Sequence, residues 1–301
     1  MRKVCITGVT GKTGAWFLRE LEAHAAELED WEFTFVSRSA GRSAAIAPEG
    51  IRYTVRTGDI RSADFLRELF APGAFDTLLH IAGTRRSAPV VRYALESGVR
   101  RMILVHTTGI WSRFKAASEE YKQAEEEIAR MCEGKDVSVT ILRPTMIYGT
   151  ENDHNISEFM KMLRKSHVVP LIGGGKSKVQ PVWCGDLGRA YFQVLTTPSA
   201  NVEEYVLSGG TVMTVSEMLH VLQKKLGTRN VFVPVPFGLA YAGACCLYAL
   251  TGHKKDLREK VQRMTEDRAW PHDAAAHDFG YDPLPFDKGT DRMLEEIRKT
   301  K

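Results

Sequence analysis

The chain has 301 residues, 44% of them hydrophobic and 26% charged, enough for one large domain or two modest ones in an ordinary soluble globular protein. That apolar content excludes disorder as the main state, and 25 glycines and 12 prolines without a period exclude collagen. Lys and Arg (41) exceed Asp and Glu (37) by four, a balance that allows an anionic small ligand but gives no footprint for nucleic acid.

In chain order, Met1-Arg2-Lys3 leads straight into a short apolar run, so no secretory leader is expected. The five cysteines are odd in number and lack CxxC spacing, which predicts a reducing, cytoplasmic location and no metal site. Strands are predicted at 4–6, 33–36, 53–55, 78–81, 102–106 and 137–142, with helices at 15–24, 63–70 and 90–97 between them. Strands alternating with helices give an α/β fold: a doubly wound parallel sheet, Rossmann-like, with ligands at the strand C-termini.

The second half is less regular. Residues 170–176 read as a loop, 179–182 and 205–207 as strands, and Asp186 as the cap of a helix over 187–195. Residues 214–226 read as a capped amphipathic helix. No charge falls between Val231 and Gly252. Prolines and glycines interrupt this stretch, and its unbroken apolar part falls short of the ~20 residues a membrane span needs. A buried helix is the reading favoured here, and an interfacial helix over 236–250 or a pocket wall is the alternative. The tail, 256–301, is charged, with a helix expected at 293–298.

Thr7-Gly8-Val9-Thr10-Gly11-Lys12-Thr13-Gly14 follows the first strand and opens the first helix. Missing Cβ atoms let the backbone turn tightly, and the helix N-terminus offers N–H groups to a pyrophosphate. This TGxxGxxG spacing resembles the short-chain dehydrogenase/reductase superfamily, in its extended and atypical branches. Gly58-Asp59-Ile60 resembles that family's contact to the adenine, and His80-Ile81-Ala82-Gly83 its fourth-strand end beside the cofactor. Leu142-Arg143-Pro144-Thr145-Met146-Ile147-Tyr148-Gly149 is similar to the LRPxxxYG signature of sugar-nucleotide epimerases and dehydratases. The segment from Leu239 to Pro283 resembles the subgroup that includes an accessory subunit of respiratory complex I. The resemblance implies cofactor binding by Gly8, Thr10, Gly11, Lys12, Thr13, Gly14, Asp59, Ile60, Ala82, Gly83 and Pro144.

The second strand ends Val36-Ser37-Arg38-Ser39-Ala40-Gly41-Arg42, with no acid to hold a ribose 2′-hydroxyl. A guanidinium fits a 2′-phosphate, so Arg38 points to NADP over NAD; the alternative is that Arg38 and Arg42 are merely solvated.

The fifth strand ends His106-Thr107-Thr108-Gly109, and the resemblance implies that Thr108 or Thr107 holds a substrate oxygen. The family's Tyr-x-x-x-Lys is not intact. One register places Ser118 and Lys122 on the two positions, and the other Tyr121 and Glu125. The stripe Ala117, Tyr121, Ala124, Ile128 and Met131 favours a packed Tyr121 and a Lys122 that reaches the nicotinamide ribose. His80 reads as a strand-end residue, 152–155 as a pocket wall or a polar loop, and Glu125-Glu126-Glu127 as a solvated face. The His272-Asp273 and His277-Asp278 pairs have a spacing unsuited to a metal.

The expectation is therefore an NADP(H)-binding oxidoreductase or epimerase-like enzyme acting on a small carbonyl or hydroxyl substrate, a nucleotide sugar among the candidates. The competing reading is an inactive cofactor sensor or assembly protein. Residues 1–148 plus about 177–207 would bind the dinucleotide, and 149–176 plus 208–301 would form a substrate lobe. The oligomeric state is not legible.

Overall fold

A computed structural model describes residues 1–44, 46–198 and 203–299; parts of both expected units, 199–202 and 300–301, lie outside these. Among the described residues, seven strands form one sheet. Its first six, in chain order, are β1 (Arg2–Thr7), β2 (Trp31–Ser37), β3 (Arg52–Thr57), β4 (Thr77–His80), β5 (Arg101–Val105) and β6 (Ser138–Pro144). The Glu204–Leu207 strand adds to β6, and the spatial order from there is β6, β5, β4, β1, β2, β3. Every pairing is parallel. The order reverses between β1 and β4, and that switch opens a crevice at their carboxyl ends.

The inner strands are apolar because helices cover both faces, whereas the edge strand β3 has no buried residue. Val4, Ile6, Phe33, Phe35, Leu79 and Ile103 meet the helices α1 (Lys12–Ala23) and Cys184–Thr196 on one side. Cys5, Leu78, Met102 and Leu104 meet the Ala63–Leu69, Ser87–Glu96 and Ser118–Cys132 helices on the other. A further core joins the Ile156–Lys165, Val215–Leu226 and Phe286–Lys299 helices around Tyr148, Met160, Leu219 and Met293. The Val215–Leu226 helix starts as the sequence predicts. The Thr214 hydroxyl accepts from the Glu217 N–H (3.1 Å) while the Glu217 carboxylate accepts from the Thr214 N–H (2.7 Å).

Several local expectations change. Residues 170–172 are not loop but part of a strand, Val168–Ile172, paired in parallel with Val231–Val235; only Gly173–Gly175 turn, all three with positive φ. Asp186 does not cap its helix, which begins at Cys184. Its buried carboxylate accepts instead from the Leu284 N–H and Arg189, both at 3.0 Å, tying the tail to the sheet. The uncharged stretch forms a helix, Phe237–Leu250, but not a buried one: only Ala244 is buried there. Among its described residues the tail holds three helices: Arg258–Arg263, Asp273–Phe279 and Phe286–Lys299.

Candidate functional site

Two adjoining cavities lie at the crevice, with Gly8, Gly11 and Ile81 on both walls. The three glycines of the turn have different tasks. Gly8 has φ +88°, and a Cβ there would sit 2.7 Å from the Ala82 nitrogen, so the β1 turn packs directly on the end of β4. A Cβ on buried Gly14 would sit 2.4 Å from the Gly8 oxygen, so α1 lies flat against the turn. Gly11 alone is open: it is exposed, has φ −82°, and would meet only the Gly8 oxygen, at 3.1 Å. Its face is bare backbone at the N-terminus of α1, which suits a pyrophosphate.

The smaller cavity, about 310 Å³, runs from this turn to the ends of β2 and β3. Thr10, Ile60 and Ala82 line it, and so do three arginines, Arg38, Arg42 and Arg86. Among the described residues none of these arginines is held in an ion pair. Asp59 does not line the cavity; Arg61 grips its carboxylate at 2.5–2.9 Å and lowers its pKa to about 2. Arg86 escaped the sequence reading, although its place just after Gly83, beyond the end of β4, was a usable signal. The crevice, the bare Gly11 face and three guanidinium groups outside any ion pair fit an anionic dinucleotide.

The larger cavity, about 420 Å³, continues past Gly11 toward the second core. Lys12, Thr13, Thr107 and Thr108 line it. The Lys12 ammonium donates to the Asn152 carbonyl, and burial lowers its pKa. The Thr108 hydroxyl donates to the Pro144 carbonyl (3.3 Å); Pro144 itself is buried outside both cavities. Gly83 lies on a side groove with Lys115 and Tyr121.

Lys115 also lines the larger cavity. Its ammonium lies over Gly109, 2.6 Å from where a Cβ would stand, and the Thr107 hydroxyl lies 3.1 Å from the same point. Burial, with Arg263 adding repulsion, brings its pKa down to about 8. Lys122, expected at the ribose, is exposed and lines neither cavity. The apolar stripe of the Ser118–Cys132 helix does face inward, and it carries Glu125 with it. Tyr121 is half-buried rather than sealed in the core, its ring 4.9 Å from the Lys115 ammonium and 5.7 Å from the Arg85 guanidinium.

Glu125 is not a solvated residue. Its carboxylate accepts two hydrogen bonds from Arg143 and one from His106, all at 2.7 Å. Burial would raise its pKa, but these donors outweigh burial and bring it to about 2. Glu204 lies 2.6 Å from the same guanidinium, and Ser87 2.9 Å from the other His106 nitrogen. The inward face of this helix therefore presents Tyr121 and Glu125, and Lys122 points away.

The far wall comes from the tail. Arg263, Arg268 and Trp270 line the larger cavity, and the Nε of each arginine is buried without a hydrogen-bond partner. Buried Glu266 positions this wall by accepting from the Ser112 hydroxyl (2.6 Å) and the Arg113 N–H (2.8 Å). No local sequence pattern marks Lys115, Arg263 or Arg268; only the return of the tail across the sheet brings them together.

The remaining candidates are structural. His80 is fully buried between the Thr7 hydroxyl (2.8 Å) and the Gly83 carbonyl (3.3 Å). Burial and nearby His106 lower its pKa to about 3, which keeps it neutral. Asp153 and Asn155 line the larger cavity, yet the Asp153 carboxylate is engaged by the N–H groups of Gly149, Asn155 and Ser157. His272 meets Ser208 (2.8 Å) and His277 meets Asp278 (2.7 Å); among the described residues no cluster could hold a metal.

Comparison with known proteins agrees with this architecture. The pattern of the NAD(P)H-binding family matches residues 8–166. The chain is 22% identical to UDP-glucose 4-epimerase of Vibrio cholerae, over 89% of this chain and 90% of that one. Over a shorter reach, 35% of this chain and 26% of the other, it is 32% identical to the mitochondrial NADH dehydrogenase 1 alpha subcomplex subunit 9 of Arabidopsis thaliana. Its fold superposes with a TM-score of 0.72 on the Citrobacter sp. triphenylmethane reductase complexed with NADP(H), at 18% identity, covering 97% of this chain and 100% of that one. With the glycine turn, the parallel sheet and its switch-point crevice in place, the chain belongs to the NAD(P)H-binding family, within the extended short-chain dehydrogenase/reductases of the NAD-dependent epimerase type.

Proposed function

We propose that the protein is an NADP(H)-dependent oxidoreductase or epimerase-like enzyme whose substrate carries a carbonyl or hydroxyl group and a phosphate, a nucleotide sugar being the leading class. The observation that carries this reading is the larger cavity. Lys115, Thr107 and Thr108 share its lining with two half-buried arginines, Arg263 and Arg268, whose Nε atoms are buried without a hydrogen-bond partner. A buried unpaired donor is costly, and a phosphate oxygen would satisfy it. NADP is preferred to NAD because Arg38, Arg42 and Arg86 surround the adenosine end without a carboxylate among them. A cytoplasmic place of action belongs to the same proposal.

The bound nicotinamide would give or take a hydride at the substrate carbon. The protein's task is then the proton and the orientation. Lys115, with a pKa near neutrality, would donate a proton to the carbonyl oxygen in reduction and accept one in oxidation. Of the two threonines, Thr107 would hold that oxygen, because its hydroxyl accepts from the Gly109 N–H and keeps its own proton to donate, whereas Thr108 donates to Pro144; the Gly11 face would hold the pyrophosphate. Tyr121 faces Lys115 and Glu125 occupies the family's lysine register, so an ammonium from outside the helix replaces the one the helix lacks.

The test compares Lys115→Met, Lys122→Met and Tyr121→Phe by NADPH fluorescence titration and by turnover of carbonyl and nucleotide-sugar substrates. Lys115→Met should lower turnover by about 10²–10⁴-fold and abolish the inflection near pH 8. Lys122→Met should change neither measurement. Full activity in Lys115→Met, or lost cofactor affinity in Lys122→Met, refutes the assignment. Loss of turnover in Tyr121→Phe alone returns the proton to the tyrosine. The Arg143–Glu125–His106 network supports a second reading, an NADP(H) sensor without turnover. Tight NADPH binding with no turnover by the unmodified protein would favour it.

A further inference from the structure

We infer that the Phe237–Leu250 helix and the basic segment after it form a docking surface for an anionic membrane, with the helix inserted into one leaflet. This inference is independent of the catalytic reading. The helix has no charged residue on any face; its polar atoms are confined to Tyr241, Tyr248, Cys245, Cys246 and the backbone. It is nevertheless exposed, with Leu239 68% and Leu250 86% accessible. Among the described residues, six of the ten exposed large hydrophobic side chains fall in the segment from Val231 to Leu257, so the exposed apolarity is concentrated there.

The absence of a polar face selects the occupant. A protein groove covers one side of a helix and leaves the other in water, so it suits an amphipathic helix. A helix apolar all round is matched by a medium that surrounds it. Fourteen residues rise only about 21 Å, short of the ~30 Å hydrocarbon core, and no helix among the described residues is long and apolar enough to cross. Insertion to the depth of one leaflet fits that length.

Charge selects the kind of membrane. Residues 251–263 hold Lys254, Lys255, Arg258, Lys260 and Arg263 against Asp256 and Glu259, a formal +3 in thirteen residues compared with +4 for the whole chain. His253, Lys254, Lys255 and Lys260 are exposed, immediately beyond the helix C-terminus. The Arg258–Arg263 helix packs against the apolar helix, so the cations stand at its base, where lipid headgroups would lie. Phe237 and Tyr241 stack at one end (5.7 Å), and Tyr248 stacks on His253 at the other (4.5 Å). The Tyr248–His253 pair stands at the same end as the cations, where an aromatic ring suits the headgroup boundary.

The test is flotation of the full chain with vesicles of phosphatidylcholine alone and of phosphatidylcholine mixed with phosphatidylglycerol. The protein should float with the mixed vesicles, and its binding to neutral vesicles should be at least about tenfold weaker. Leu239→Glu/Leu250→Glu should remove binding to both. Lys254→Glu/Lys255→Glu should cut binding to the mixed vesicles by about tenfold or more. Both variants should keep the wild-type melting temperature and NADPH affinity, since none of the four side chains lines a cavity. If the leucine variant misfolds, the lysine variant alone decides. Failure of the unmodified protein to float with mixed vesicles overturns the inference. So does flotation of the lysine variant at wild-type level, or a wild-type dimer in sedimentation that ignores vesicles and is split by the leucine substitutions.

Discussion

The three glycines of the turn should separate into two that hold the fold and one that admits the cofactor. Gly14→Ala would place its Cβ 2.4 Å from the Gly8 oxygen and 2.6 Å from the Val9 Cα. Both are backbone atoms that cannot rotate aside, so the cost belongs at the upper end of overpacking, about 3 kcal/mol. At about 2 °C per kcal/mol for a chain of this length, the melting temperature should fall by roughly 6 °C. Gly8→Ala adds positive-φ strain to a 2.7 Å contact and should cost at least as much. Gly11→Val differs: its φ is ordinary and its one close neighbour is 3.1 Å away. It should melt near the wild type yet bind NADPH about ten- to a hundredfold more weakly, the worth of about 1.5–3 kcal/mol in lost hydrogen bonds to a phosphate. Differential scanning fluorimetry and NADPH fluorescence titration on the three variants measure both quantities. Unchanged affinity in Gly11→Val, or a wild-type melt for Gly14→Ala, would refute the division of roles.

Arg38→Asp should weaken NADP(H) more than NAD(H), because it removes a charge-assisted pair and adds repulsion to the phosphate; equal losses by titration would count against Arg38 as the selector. Arg86→Ala should act in the same direction, and an unchanged NADP-to-NAD ratio would remove it from the site. Glu125 has a folded-state pKa of about 2 against an ordinary 4.5, so its contribution to stability is present above about pH 4.5 and lost as pH falls toward 2. Glu125→Gln should therefore flatten the acid limb of the stability profile and lower stability at neutral pH, where it leaves Arg143 short of a carboxylate. An acid limb identical to the wild type, measured by urea denaturation across that window, would show that the network is not coupled to folding.

Elements whose causes are local are legible in the amino-acid order. The inner sheet strands appear as short apolar runs because a doubly covered sheet needs apolar residues on both faces, while the edge strand β3 shows through its β-branched and aromatic residues Tyr53, Thr54 and Val55. The TGxxGxxG turn appears because backbone that must approach a ligand or pack against backbone excludes Cβ atoms. The Thr214–Glu217 cap is legible because both partners lie within one turn. The arginines after β2 could be read because a strand's C-terminal end in this topology already has an address.

Tertiary structure decided which charged groups enter the cavity. Lys115 and Lys122 are seven residues apart and equally cationic; only the packing of the segment before the Ser118–Cys132 helix buries one and leaves the other in water. Glu125 lies in a run of three glutamates, and its partners, His106 and Arg143, sit on neighbouring strands that no helical period can announce. Arg263 and Arg268 reach the site from the tail, held there by Glu266 on Ser112 and Arg113. The uncharged helix needed the same information. Its composition fixed that it would be apolar, but whether other elements covered it depended on where the rest of the chain went. Periodicity is set by backbone geometry within a few residues, whereas burial, pairing and pKa are set by neighbours that arrive from anywhere in the chain.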